Sequence, residues 1–278
     1  SGVALSAGVA FWQVATGTGP PTFESGGLMR AHGFFGEPNP LAAYLEMTIL
    51  VLAPVALLQA ARSGATLWRR FGLLAVTGAG TVTLILTQSR GGILGFAAGA
   101  LFVALLVTRW SRLIALGGII LAIPLLVITP AGRSGVDRFA SSLTAVTTTE
   151  QVTSANWSVQ ERVAHWKAGL HMLETYPVTG VGAGNFDARY REMTTVWRFR
   201  IPRGHAHHSA IQMGAQAGNT GLIAYIVLLF TAGARILRGV RCARLPTERA
   251  LAIGALGVLV AVIVHGQFDY LHGLSLNL

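Results

Sequence analysis

The stretch from Leu113 to Pro130 contains no charged residue. A helix that spans a bilayer needs about 20 mostly apolar residues, so this stretch is typical of a membrane span. Similar stretches recur along the chain, and the chain opens inside the first, which predicts a piece of a longer membrane protein truncated at its N-terminus. The predicted fold is an all-α, polytopic transmembrane helix bundle. Its spans are expected at roughly 1–16, 41–61, 71–89, 91–108, 113–130, 206–233 and 250–272.

Composition supports a membrane protein and argues against other classes. Of the 278 residues, 12% are charged and 52% are hydrophobic, and the mean hydropathy is +0.56. Soluble domains carry about 25% charged residues. A net charge of +10 on so apolar a chain is not the pattern of a soluble nucleic-acid-binding protein, so no nucleic-acid partner is expected. The single cysteine, Cys242, cannot form an internal disulfide.

Basic residues mark one side of the predicted bundle. The short loops after the second, fourth and sixth spans hold ten basic residues and one acid, Glu248, which places them in the cytoplasm. The opposite face then receives the segment 17–40, the turn Ser89–Gly92 and a long segment, 131–205. The sequence thus predicts one transmembrane domain, 1–278, with a periplasmic loop at 131–205 between its fifth and sixth spans.

The long loop is predicted to be partly helical. Ser158 and Glu161 form a capping-box pattern, and apolar residues then repeat at helical spacing as far as Leu173. A glycine-rich turn follows, and a second amphipathic stretch runs from Asn185 to about Arg200. Loops of this length are usually functional or disordered, so these helices are expected to cap the outer face.

Nearly all polar residues that could carry chemistry are expected at the outer face. Arg90 stands between two apolar runs, where an ionisable group is costly and is functional by default. Its alternative is to snorkel to phospholipid headgroups. Asn39 is either the N-cap of the next helix or a functional residue. The candidates on this face are Arg30, His32, Glu37, Asn39, Ser89, Arg90, Glu161, Arg162, His165, Arg189, His205, His207 and His208.

The histidine cluster at 205–208 opens a predicted span whose first half is also polar. Such polarity should face a watery cavity rather than lipid. A zinc site needs three or four ligands, and the sequence shows no clear cysteine partner or HExxH motif to complete one with these histidines. A general base is the better role because histidine titrates near neutral pH, and no metal or cofactor is expected.

Several arginines with one histidine, and without a pair of catalytic carboxylates, favour one type of chemistry. Arginine binds phosphate oxygens bidentately and stays charged, so it can stabilise a diphosphate leaving group without magnesium. A histidine can then deprotonate an attacking hydroxyl. The combination predicts transfer of a diphosphate-activated sugar onto an alcohol.

Six short motifs occur in order along most of the chain. They are Arg30-Ala-His-Gly-Phe-Phe-Gly-Glu-Pro-Asn39, Leu86-Thr-Gln-Ser-Arg-Gly-Gly92, Glu161-Arg162 with Trp166, Pro177-Val-Thr-Gly-Val-Gly-Ala-Gly-Asn-Phe186, His205-Ala-His-His208 and His265-Gly-Gln-Phe-Asp269. As an ordered set, with a long loop before the histidine span, they resemble the O-antigen ligase and O-antigen polymerase superfamily. These membrane glycosyltransferases use undecaprenyl-diphosphate-linked glycans.

The resemblance implies an inverting, metal-independent transfer at the periplasmic face of the bacterial inner membrane. It assigns the donor diphosphate to Arg30, Arg90 and Arg162, and the base or acceptor-orienting role to His207. The family usually has asparagine where this chain has His208, so the choice among the clustered histidines stays open, with His205 the alternative. The supporting positions are Asn39, Ser89, Glu161 and His208.

Several functions are compatible with these motifs. The first is a ligase that moves a glycan from its undecaprenyl-diphosphate carrier to lipid A–core or another surface acceptor, in contact with the bilayer. A polymerase or a protein O-oligosaccharyltransferase of the same superfamily is the alternative. A transporter is disfavoured because the long loop has no counterpart in an internal repeat. An inactive structural membrane protein is the fourth interpretation.

The family usually has further N-terminal helices, so part of the acceptor groove is expected to be missing.

Overall fold

The computed structural model of the protein describes residues 2–25, 27–60, 66–113, 116–118, 152 and 156–271. In these ranges the chain is almost entirely helical, which confirms the all-α fold. Two short strands, β1 (Glu24–Ser25) and β2 (Leu28–Met29), pair antiparallel, and 3-10 turns cover Pro21–Phe23 and Trp197–Phe199. The helices are α1 (Gly2–Thr16), α2 (Pro38–Ala60), α3 (Leu67–Leu86), α4 (Arg90–Val107), α5 (Trp157–Thr175), α6 (Phe186–Met193), α7 (Ser209–Cys242) and α8 (Pro246–His265).

Four of the described helices, α2, α4, α7 and α8, are long and apolar enough to cross a membrane. Gly2–Thr16 and Phe71–Leu86 are apolar but shorter, and most of the predicted span 113–130 lies outside the described residues. The basic stretch after the sixth predicted span was expected to be a loop, but most of it is helical. Helix α7 continues to Cys242 and carries Arg235, Arg238 and Arg241. Arginine is a good helix former with a long apolar stem, so it extends a span into the interface.

The chain divides into two compact units. The first, here called the core unit, comprises Ser1–Arg109 and Leu228–Leu278. The second, the loop unit, comprises Trp110–Val227 and includes the described part of the predicted outer loop.

In the core unit, α2 packs against α3, α4 and α8, and α1 packs against α3. Small residues let the backbones approach closely, as is common in lipid. A Cβ atom at Gly99 on α4 would lie 2.6 Å from the carbonyl oxygen of Gly257 on α8. One at Gly254 would lie 2.8 Å from the carbonyl oxygen of Leu50 on α2.

In the loop unit, α5 and α6 enclose a small core that includes Met172, Phe186 and Tyr190. The predicted capping box is wrong, because α5 begins at Trp157 and Ser158 lies within its first turn. The second amphipathic stretch is also shorter than predicted, since α6 ends at Met193. The next three residues, 194–196, are all β-branched, which disfavours continuation of the helix.

Helix α7 contains a break at Gly218, whose φ of 64° and ψ of −165° are not helical. The carbonyl oxygens of Ala215 and Gln216 accept hydrogen bonds from the N–H groups of Val181 and Gly182, at 2.9 and 3.0 Å. Past the break, the Asn219 N–H donates to the Pro177 carbonyl at 2.7 Å. The turn 177–182 thus satisfies backbone groups that the break exposes, as a broken apolar helix requires.

Candidate functional site

Arg30 lies against the turn between α3 and α4. Its Nε donates to the Thr87 carbonyl at 2.9 Å, and the following N–H, of Ala31, donates to the Leu86 carbonyl at 3.0 Å. Ser89 is the N-cap of α4, where its Oγ accepts from the Gly92 N–H at 3.4 Å. Arg90 is the first residue of α4 and is exposed. The structure therefore brings two of the three predicted diphosphate-binding arginines to one end of the core unit.

Asn39 connects Arg30 to a buried acid. Helix α2 begins at Pro38, so the N-cap interpretation of Asn39 is wrong. Its Nδ2 donates to Asp269 Oδ2 at 2.9 Å, and its Oδ1 accepts from Arg30 Nη2 at 3.4 Å. Because a carboxylate only accepts, Asp269 fixes the amide orientation that presents the oxygen to the guanidinium. Asp269 was not predicted as a site residue, although it closes the last motif.

Two other candidates of the first outer loop have no evident role at this site. His32 donates through Nδ1 to the Phe35 carbonyl at 3.1 Å, which orders the loop itself. Glu37 is exposed. Both remain unassigned.

The backbone of His207 is in the left-handed region, with φ of 51°. Such a conformation in a residue other than glycine costs about 1–3 kcal/mol and persists only where neighbours hold it. Here the His207 N–H donates to His205 Nδ1 at 3.1 Å, and the Trp166 indole donates to the His207 carbonyl at 3.4 Å. The Ala206 N–H also donates to the buried Gln212 Oε1, at 2.7 Å. These three hydrogen bonds hold His207 and the residue before it in place.

The other two clustered histidines take part in the local backbone structure. Because His205 Nδ1 accepts the His207 N–H, its ring proton must be on Nε2. His208 Nδ1 accepts the Ile211 N–H at 3.4 Å, in the first turn of α7, as a capping side chain does. The backbone strain therefore distinguishes His207 from its neighbours.

His165 lies beside His207 and is fully buried. Its Nδ1–H donates to the Glu161 carbonyl at 2.7 Å, its ring stacks on Tyr190 with centroids 4.5 Å apart, and it meets His207 edge-on at 5.5 Å. Burial lowers the pKa of His165, and the neighbouring His207 lowers it further. His165 is therefore neutral near pH 7. The sequence marked it as a polar residue of the outer face but gave no sign that it lies against His207.

The charged candidates of the loop unit have different environments. Glu161 forms an ion pair with Arg203, from Oε1 to Nε at 3.1 Å, a partner that the sequence did not indicate. Arg162 follows on α5 and is half-buried. Arg189 is in an exposed pair with Glu192 at 2.9 Å, which is typical of a solvated helix surface and contributes little to stability.

A family model described as O-antigen ligase matches residues 73–226. The match covers just over half of the chain and includes Arg90, the described part of the long loop and the histidine cluster. The chain belongs to the O-antigen ligase family. As a member of that family with apolar helices of spanning length, it is a membrane enzyme of the ligase and polymerase type. Among curated proteins, none matches the chain.

Acidification should destabilise the loop unit through His165. An unfolded histidine has a pKa near 6.5, whereas the buried His165 has a lower one, so the unfolded chain takes up the proton first. The stability that neutral His165 contributes is complete above pH 6.5. It is lost as the pH falls from about 6.5 to the lowered pKa of the folded state, because only the unfolded chain takes up the proton in that range. Between these two pKa values the free energy of unfolding should drop by up to about 1.4 kcal/mol per pH unit.

Thermal unfolding in detergent, followed from about pH 8 to about pH 5, measures this decline. His165→Phe is the matched variant, because phenylalanine can keep the stacking on Tyr190 but cannot take up a proton. Its stability should fall less steeply with pH. An unchanged slope would show that His165 is not the titrating group.

Proposed function

We propose that the protein transfers a glycan from an undecaprenyl-diphosphate carrier to an acceptor hydroxyl at the periplasmic face of the bacterial inner membrane. The acceptor is lipid A–core or a comparable surface glycolipid. The observation that carries this proposal is the strained backbone of His207, which three hydrogen bonds at residues 206–207 hold within the matched part of an O-antigen ligase family member. Strain of this kind clusters at active sites.

In this proposal the arginines bind the donor diphosphate. Arg30 is held by the Thr87 carbonyl and by Asn39, so its guanidinium loses little freedom when it binds phosphate oxygens. Arg90 is at the N-terminus of α4, whose first turn contains no acid, so the helix dipole adds to its positive charge. Arg162 is the third candidate and lies in the loop unit. Their charges take the place of a divalent metal as the diphosphate leaves.

His207 is the proposed general base. It removes the proton of the acceptor hydroxyl while that oxygen forms a bond to the anomeric carbon, on the side opposite the diphosphate. The bond from the anomeric carbon to the diphosphate oxygen breaks, and undecaprenyl diphosphate leaves with both electrons of that bond. Attack opposite the leaving group inverts the anomeric configuration. The neutral His165 places no positive charge beside the His207 ring.

The test is a reconstituted transfer reaction. The purified protein in liposomes receives a lipid-linked glycan together with either lipid A–core or a second lipid-linked glycan. We expect glycosylated lipid A–core and free undecaprenyl diphosphate, at a rate that EDTA does not reduce. Lengthening of the lipid-linked glycan instead would assign a polymerase, and loss of activity in EDTA would contradict the arginine mechanism.

Arg30→Ala should lower kcat/KM for the donor by about 10- to 100-fold, because hydrogen bonds to charged groups contribute about 1.5–3 kcal/mol. The matched control is Arg191→Ala, which removes an exposed arginine of α6 and should leave the rate within about twofold. Initial rates at varied donor concentration measure both. Equal rates for the two variants would contradict the role of Arg30.

A further inference from the structure

A buried ionisable pair lies among the apolar helices of the core unit. Glu46 on α2 and His265 at the end of α8 share a hydrogen bond of 2.8 Å between Oε1 and Nδ1, and their side chains are 0% and 1% exposed. The proposed transfer uses neither residue directly. Ionisable residues inside membrane spans are costly, and their presence indicates a function.

The pair is not arranged for maximal stability. Its second polar atoms, Glu46 Oε2 and His265 Nε2, are buried and make no hydrogen bond in the part of the chain that the structure describes. Both lie against glycines of α4, since Cβ atoms at Gly95 and Gly91 would be 2.8 Å from Glu46 Oε2 and 3.0 Å from His265 Nε2. A buried ionic pair with incomplete hydrogen bonding is usually less favourable than apolar side chains of similar size. The best-attested use of such a pair is to specify one register between helices.

Small residues bring α8 into close contact with α2 and α4. Gly254 of α8 packs on the backbone of Leu50 and Val51, and Gly257 packs on Gly99 of α4. Such contacts bring the helix backbones close together. The hydrogen bonds at the end of α8 add a directional constraint on its register along α2.

A second polar contact, between Asn39 and Asp269, joins α2 to the chain just after α8. Asn39 lies seven residues before Glu46, and Asp269 lies four residues after His265, so the two contacts have an antiparallel order. The Asp269 N–H donates to the His265 carbonyl at 3.1 Å. A shift of His265 therefore moves Asp269, and Asp269 orients the amide that contacts Arg30.

We propose that Glu46 and His265 are positioning residues, which set the register of α8 on α2 so that Asp269 meets Asn39 and Arg30 is held for the donor diphosphate. This inference rests on the proposed function. In this proposal, loss of the pair slows the reaction because Arg30 is misplaced, and not because less protein is folded.

The test replaces the pair by apolar residues of similar size in the double variant Glu46→Met with His265→Leu. We expect a folded protein that unfolds at the wild-type temperature or above, with kcat/KM for the donor about tenfold lower. In an Arg30→Ala background, the same double replacement should change kcat/KM by less than about twofold, because both changes disable the same group. The control is Glu46→Gln, which keeps an acceptor for His265 and should retain transfer within about threefold.

Hydrogen exchange of the amides at 266–271 gives a readout that does not need catalysis. The exchange should be faster in the double variant than in the wild type, because Asp269 has lost its fixed position. Wild-type transfer by the double variant, full additivity with Arg30→Ala, or unchanged exchange would each overturn the proposal. If the wild-type protein transfers no glycan but the double variant still exchanges faster, the positioning role is sustained and the proposed function is rejected.

Discussion

Replacing His207 by alanine should lower kcat for glycan transfer by about 10²- to 10⁴-fold, the range that loss of a general base produces. The protein should stay folded, since the side chain of His207 is only half-buried and its backbone contacts do not need the ring. Turnover at saturating donor and acceptor, with thermal unfolding in parallel, measures both effects.

Two further variants separate the ring of His207 from its backbone strain. His207→Asn should be as inactive as the alanine variant but at least as stable as that variant, because asparagine tolerates the left-handed region better than alanine. His171→Ala is the matched histidine control, since His171 lies on α5 and contacts the Met193 carbonyl, outside the cluster. Normal turnover in His207→Ala together with loss in His205→Ala would show that the base is His205.

Gly218→Ala should produce the largest loss of stability. At φ of 64° and ψ of −165°, Gly218 occupies a region that is essentially restricted to glycine. A Cβ atom there would lie 2.4 Å from the carbonyl carbon and oxygen of Val178. To relieve this overlap, α7 would have to move away from the turn 177–182, which would break the hydrogen bond from the Asn219 N–H to the Pro177 carbonyl. We expect a loss of more than about 4 kcal/mol, or no folded protein.

The matched control is Gly78→Ala. Gly78 lies inside α3, where an added Cβ atom meets nothing within 4 Å, so the substitution should be neutral or stabilise the helix by about 1 kcal/mol. Thermal unfolding of the Gly218→Ala and Gly78→Ala variants in detergent measures this difference in stability. A Gly218→Ala protein as stable as the wild type would show that the break in α7 does not depend on glycine.

Much of the helical architecture is predictable from apolar runs, whereas helix ends and breaks are not. The spans near 41–61, 91–108 and 250–272 correspond to α2, α4 and α8, with ends moved by a few residues. The break at Gly218 is hidden in the apolar pattern, because it depends on backbone hydrogen bonds to a turn about 40 residues away.

The candidate site residues could be named from the sequence, but their contacts could not. The motifs singled out Arg30, Asn39 and His207, whose chemistry is visible in the sequence. Asp269 and Asn39 are separated by 230 residues, and Glu46 and His265 by 219, so only tertiary packing reveals these pairs. His165 was among the candidates, but its contact with His207 was not predictable for the same reason, since that contact joins α5 to the segment before α7.

The anomeric configuration of the linkage that the purified protein forms tests the central claim most directly. Attack by a His207-activated hydroxyl opposite an arginine-held diphosphate predicts that NMR of the product shows the configuration inverted relative to the lipid-linked donor. Retention of the donor configuration would show that the hydroxyl does not displace the diphosphate by direct attack from the opposite side, and it would contradict the account.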